Sequence, residues 1–278
     1  GLDADAPDAK AAKKVAEYLG TEHHEIHFTI EQGIEILDKL IWHLETYDVT
    51  SIRASTPMYF LSKAITDMGI KVVLSGEGAD EIFGGYLYFR NAPTVEDFQK
   101  ETIERVQKLF TADLLRADKS TMAHGLEARV PFLDKAFLDM AVRIKPEEKM
   151  PKTYDGKEKY ILRKAFDTPD NPYLPDEVLW RQKEQFSDGV GYNWIDQLIE
   201  YCSSQVTDAQ LAGAEAEFPY NTPTTKEAYF YRSIFNKYYP QVSAAQTVRK
   251  WIPKWQENQD PSGRANAAHV QADVEIAK

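Results

Sequence analysis

The run Lys71-Val72-Val73-Leu74-Ser75-Gly76-Glu77-Gly78-Ala79-Asp80-Glu81 gathers the residue types that a ligand site needs. Val72, Val73 and Leu74 read as a strand covered on both faces. Gly76 and Gly78 allow a sharp turn, positive φ and close approach of a ligand to bare backbone. N–H groups exposed in such a turn can hold a phosphate. Glu77, Asp80 and Glu81 follow at once, and carboxylates repel a phosphate unless a divalent cation or a lysine lies between them. Two chemistries fit this pattern: a nucleotide–magnesium site, or a site for a cationic or amine substrate. A solvated connection with scattered acids is the plain reading of the same residues.

Three further clusters carry charge in suggestive company. In Glu45–Pro57, Arg53 follows the hydroxyls of Thr50 and Ser51. A guanidinium there suits a two-pronged grip on a carboxylate, and equally a surface pair with Glu45 or Asp48. Asp113 and Arg116 stand three apart, the spacing of an ion pair on one helix face. In Met122–Asp134, Arg129 sits between apolar neighbours. That predicts partial burial, with Glu127, Glu77 or Asp80 as the partner a buried charge requires; structural and catalytic roles both stand. Arg181–Gly189 is a polar loop in which Lys183 is either solvated or a point charge in a dry site. The six histidines show no paired metal-ligand spacing beyond His23-His24, and Cys202 carries no nucleophile signature.

The elements that must position these residues alternate. Asp8–Leu19 reads as a helix stopped by Gly20. His24–Phe28 alternates like a strand. Thr29 caps a helix with Ile34, Leu37, Ile41 and Leu44 on one face. Ser55-Thr56-Pro57 reads as a hydroxyl cap with proline at the first helical position. Ile70–Leu74 is the next strand. That order implies an α/β layer with a parallel sheet, whose ligands sit beyond the carboxyl ends of the strands, where Ser75–Asp80 would lie. Tyr86, Tyr88 and Phe89 read as packing residues, and Thr94 caps a charged helix. From Thr111 the chain is mostly helical, with Phe110, Leu114 and Leu115 as core candidates. Asn193–Val206 and Thr225–Tyr239 are further helices. Residues 1–255 read as one domain and 256–278 as a flexible tail.

With 278 residues, 43% of them hydrophobic and 28% charged, the chain can bury a sizeable core. A formal net charge of −11 argues against nucleic-acid or anionic-membrane binding. No apolar run approaches the length of a membrane span. A single cysteine allows no internal disulfide and fits a cytoplasmic setting. The chain begins at Gly1, with no initiator Met, and reads as part of a longer one.

Ser75–Glu81, continuing through Phe83-Gly84-Gly85-Tyr86, resembles the second nucleotide-binding motif of the glutamine-dependent asparagine synthetases. Gly125–Asp134 resembles their Gly-x-Glu-x-Arg-x-Pro-Phe-Leu-Asp run, and Arg181–Gly189 is a third match. The likeness extends to Asp260-Pro261-Ser262-Gly263-Arg264. It implies an adenine nucleotide α-hydrolase-like (ATP pyrophosphatase) fold with a helical second half. It also implies ATP-dependent amidation of aspartate through a β-aspartyl adenylate, with Mg2+ as cofactor. The ammonia would come from glutamine, split by an N-terminal glutaminase domain, in a homodimer.

By the resemblance, Ser75 and Gly76 hold the AMP part, and Glu77 serves formation or aminolysis of the adenylate. Asp80 lies near the magnesium–pyrophosphate. Lys183 faces the reacting phosphate, and the Thr50-Ser51-Ile52-Arg53 segment holds aspartate. Asp113 and Arg116 support the wall of the site. Two parts of the family pattern are missing: the Ser-Gly-Gly-x-Asp-Ser pyrophosphate loop with its strand, and the glutaminase domain. The piece alone is therefore expected to make little adenylate and to expose a sheet edge. A β-lactam-synthetase-like adenylating enzyme and a non-catalytic assembly domain are the alternatives.

Overall fold

The computed structural model describes residues 1–2, 6–184, 186–191 and 193–256; the expected tail, apart from Gln256, and the Asp260–Arg264 segment lie outside them. Helix α1 (Pro7–Leu19) ends on Gly20 in the left-handed region at φ 66°, as a stop of that type requires. His24–Phe28 forms no strand. It runs as coil held to the start of the chain by Gly1 N–H to the Ile26 carbonyl at 2.7 Å. Thr29 caps α2 (Ile30–Glu35) in a reciprocal pair with Gln32, and α3 (Leu37–Leu44) follows after a break at Ile36.

Helix α4 (Val49–Asp67) begins earlier than Ser55-Thr56-Pro57 suggests. Asp48 is its cap, accepting from the Ser51 N–H and the Ser51 hydroxyl at 2.8 Å each. Pro57 therefore lies inside the helix, where it has no N–H to offer the Arg53 carbonyl four residues back. The indole N–H of Trp194 takes that place at 2.9 Å. A partner from another helix thus removes part of the reason proline breaks helices. Replacing the fully buried Trp194 by phenylalanine should strand that carbonyl and cost about 1–3 kcal/mol. Denaturant unfolding of the full-length protein would check this; an unchanged midpoint would refute it.

Strand β1 (Val72–Leu74) leads into α5 (Ala79–Phe83), α6 (Val95–Lys108) and α7 (Asp113–Met122) before β2 (Glu127–Arg129). The strands pair in parallel, Val72 opposite Glu127 and Leu74 opposite Arg129. The ladder extends past β1 through Ser75 N–H to the Arg129 carbonyl at 2.8 Å. β1 is not covered on both faces: Val73 is half-buried, while Leu74 is 76% exposed and Val72 41%. Val72 and Leu74 share the more exposed pleat of the strand. The rest is helical: α8 (Lys135–Arg143), α9 (Tyr160–Ala165), α10 (Asp176–Leu179), α11 (Phe186–Gly189), α12 (Asn193–Gln205), α13 (Asp208–Ala212), α14 (Ala214–Glu217), α15 (Lys226–Tyr238) and α16 (Val242–Thr247).

The main core lies among α3, α4, α12 and α15 and includes Leu40, Ile41, Ile52, Trp194, Leu198, Tyr231 and Phe235. A second cluster joins Tyr86, Tyr88, Phe89, Phe98 and Trp251, so that aromatic run packs rather than stacking on a ligand base. Phe110 is exposed and Leu114 and Leu115 are half-buried; the buried residues of that turn are Ala112 and Asp113. Among the described residues no helix is long and apolar enough to cross a membrane.

Candidate functional site

At the carboxyl end of β1 the glycine loop opens on a cavity of about 440 Å³, within the usual range for small-molecule sites. Ser75, Gly76, Glu77 and Asp80 form one side. Thr50, Ala54, Met58, Leu61 and Ile65 of α4 form an apolar wall, and Asp113, Arg116, Tyr86 and Lys183 complete the polar end. The two glycines play different parts. Gly78 takes φ 94°, and a side chain there would strike Leu133. Gly76 has no positive φ, contrary to the sequence reading; the space above it is open, so a ligand can approach its backbone.

Lys183 arrives from a loop far along the chain. Its Nζ stands 3.5 Å from Asp80 Oδ2 and donates to the Glu184 carbonyl at 2.6 Å. Its own backbone N–H donates to Glu158 Oε1 at 2.6 Å. Glu158 is buried and held in turn by Arg90 at 3.0 Å and Arg163 at 3.3 Å. A second ammonium, Lys159 Nζ, lies 2.9 Å from Asp80 Oδ1. Burial favours the neutral acid, but Lys159 and Lys183 together outweigh it and hold the Asp80 carboxyl at about 2. Asp80 is therefore ionised at any physiological pH.

Glu77 stands in a different field. Burial pushes its proton affinity above the ordinary carboxylate range, and Asp113 and Asp80 add to that against the pull of Arg116. Arg116 Nη2 is 3.6 Å from Glu77 and its Nη1 is 2.7 Å from Asp113, so the expected ion pair on α7 also reaches the loop. Behind them Glu81, 1% exposed, accepts from the Tyr86 hydroxyl. Burial, with Asp113 and Asp80 nearby, raises it to about 8. Adjacent carboxylates at the start of α5, Asp80 and Glu81, are thus held in opposite protonation tendencies, the arrangement that separates acid and base roles.

Gly85 secures the Asp80–Lys159 contact. A Cβ on it would lie 2.0 Å from Asp80 Oδ1 and 2.8 Å from Lys159 Cε. Gly85→Ala should force the pair apart and lower turnover by about a hundredfold, the scale of an ångström's misplacement in a site. Steady-state kinetics beside a melting curve would test it; a fully active variant would contradict this role for Gly85.

The other expected residues divide. Thr50 lines the cavity. Ser51 does not line it; its hydroxyl serves the α4 cap. Arg53 is 2% exposed and locked to Glu227 through Nε at 2.8 Å and Nη2 at 2.6 Å. Its expected grip on a ligand, and its surface pair with Glu45 or Asp48, both give way to this bond between α4 and α15. Arg129 is likewise not partly buried. It is 63% exposed, paired with exposed Glu127 at 2.8 Å, and outside the cavity. Strand alternation explains this: Ala128 points inward, so Glu127 and Arg129 share the outer pleat. Cys202 is fully buried, which raises its thiol to about 12. The sequence reading missed Lys159 and Glu158. The turn signal Asp155-Gly156, at φ 53° and 80°, precedes them and could have marked a tight loop.

The family model for Asparagine synthase matches residues 1–100 and 90–266. The chain belongs to the asparagine synthase family. Among relatives in this family, a probable glutamine-hydrolyzing asparagine synthetase of Dictyostelium discoideum is 59% identical over 271 residues, covering 96% of this chain and 49% of its own length. Glutamine-hydrolyzing asparagine synthetase 1 of Saccharomyces cerevisiae is 57% identical over 271 residues, covering 95% and 47%. That of Asparagus officinalis is 56% identical over 274 residues, covering 94% and 46%. The chain spans about half the length of the curated relatives it matches. What an asparagine synthase family member presents in this half is the glycine loop, its two lysines and the α7 ion pair around one cleft.

Proposed function

We propose that this chain carries the amidation centre of a glutamine-hydrolysing asparagine synthetase. The observation that carries the reading is Lys183 Nζ, brought from a distant loop to 3.5 Å from Asp80 beside an open glycine turn. Lysine and bare N–H groups answer the charge of a triphosphate, and the apolar α4 wall suits a base. Exposed Val72 and Leu74 fit a sheet face that another layer of a whole ATP pyrophosphatase-type fold would cover.

The reaction is the one the family resemblance implies. The aspartate side-chain carboxylate attacks the α-phosphorus of ATP; the bond to pyrophosphate breaks, and an aspartyl adenylate remains. Lys183 holds charge that builds on the departing phosphates. Ammonia, released from glutamine elsewhere in the whole protein, then forms the C–N bond as AMP departs with the electron pair. Glu77, whose proton affinity is raised by burial, would accept the proton the new amide sheds. One or two carboxylates plus phosphate oxygens are the usual surroundings of magnesium. Asp80 would hold the ion, which would supply neutralising charge to the pyrophosphate.

The test is AMP formation by the full-length protein from ATP with aspartate, and with bulkier acids in its place. Aspartate-dependent AMP and asparagine are expected. Preference for a bulkier acid would favour a β-lactam-synthetase-like enzyme. No AMP with any acid would overturn the proposal in favour of an assembly role.

A further inference from the structure

A second cavity of about 370 Å³ lies on the far side of Thr50 and Trp251, residues that line both spaces. Its lining includes Arg232, Lys250, Asp48 and Glu227. Both carboxylates are already engaged. Glu227 is locked to Arg53, and Asp48 accepts from the Trp251 N–H at 2.8 Å and from Ser51. The cations are held less closely. Arg232 is 4% exposed, and its Nε and Nη1 have no hydrogen-bond partner among the described residues. Its guanidinium lies 4.2 Å from the centre of the Tyr47 ring, which fixes its plane without neutralising it. Lys250 makes one hydrogen bond among the described residues, a long one of 3.4 Å to the Thr222 carbonyl. Trp251 Nε1 and Thr50 Oγ1, in the shared wall, are buried and likewise unpartnered among the described residues.

A buried charge without a partner is strongly unfavourable, and each stranded donor adds to that. Arg232, Trp251 Nε1 and Thr50 Oγ1, with the weakly bonded Lys250 beside them, call for an acceptor with negative charge. The Nε–H and Nη1–H groups of Arg232 leave the guanidinium on different edges, so a carboxylate shared with Lys250 can answer one of them while its charge offsets the cation. We infer that the second cavity is a carboxylate site, in which Arg232 and Lys250 hold the α-carboxylate of a free amino acid. The identity of that amino acid rests on the amidation reading: aspartate entering, or asparagine leaving. Arg232 thereby takes the grip that Arg53, bound to Glu227, cannot offer.

Calorimetry on the full-length protein with L-aspartate and with L-asparagine, each without ATP, reads this directly. Binding of at least one is expected, weakened about tenfold or more in Arg232→Gln and in Lys250→Gln. Mg-ATP affinity should stay within twofold in both, which also reports that they fold. Whichever amino acid responds identifies the source. Should Arg232→Gln fail to fold, Lys250→Gln carries the test. Absence of binding to the wild type, or binding that neither substitution weakens, overturns the inference. Because the readout is binding, the site would survive a finding that no AMP is made.

Discussion

Lys183→Ala should cut aspartate-dependent AMP formation by about a hundredfold to a thousandfold, the usual effect of removing one preorganised donor, about 2.7–4 kcal/mol of barrier. The geometry says why the loss would be chemical rather than structural. Glu158 holds the loop through the backbone N–H of residue 183, and that bond does not depend on the side chain. Asp80 would keep Lys159 at 2.9 Å. The loop should therefore stay in place with only its ammonium removed. If Lys183 acts on charge that builds during bond breaking, kcat falls while KM for ATP changes little. Lysine to arginine should restore only part, because a planar fork does not replace a point charge. Turnover within threefold of the wild type in the alanine variant would remove Lys183 from the chemistry.

Breaking the Arg53–Glu227 pair should unfold or severely weaken the protein. Both side chains are almost wholly buried, 3% and 4% exposed. Deleting one partner of such a pair leaves the other charge stranded and costs about 3–5 kcal/mol. Arg53→Met and Glu227→Leu are each expected to show that loss in denaturant unfolding. The double variant should recover most of it, since apolar residues of similar volume often replace a buried ion pair without loss. The double variant also separates roles. A pair that only joins α4 to α15 leaves KM for aspartate near its normal value once stability is restored. A large rise in that KM would return Arg53 to the substrate.

The sequence was informative where function is encoded locally. Ser75–Asp80 carries its own turn glycines and carboxylates, so its place at a strand end could be read directly. Lys183 was found through its motif, since a lysine in a polar loop has no local mark of its destination. The misreadings share a cause, which is a tertiary partner. Pro57 looks like a helix start until Trp194 supplies the missing donor. Arg53 looks available until Glu227 approaches from a residue far down the chain. Arg129 looks buried by composition, but the period of two in β2 sends it outward. Lys159 escaped notice because its role depends on a left-handed backbone at φ 55° and on the small volume of Gly85.

The parallel pairing of β1 with β2 has a kinetic consequence. Three helices separate the strands in the chain, so their ladder closes a long loop and has no local nucleus. During refolding, helical circular dichroism should return before the glycine turn acquires its shape. The ability to capture nucleotide would then be among the last properties the chain regains.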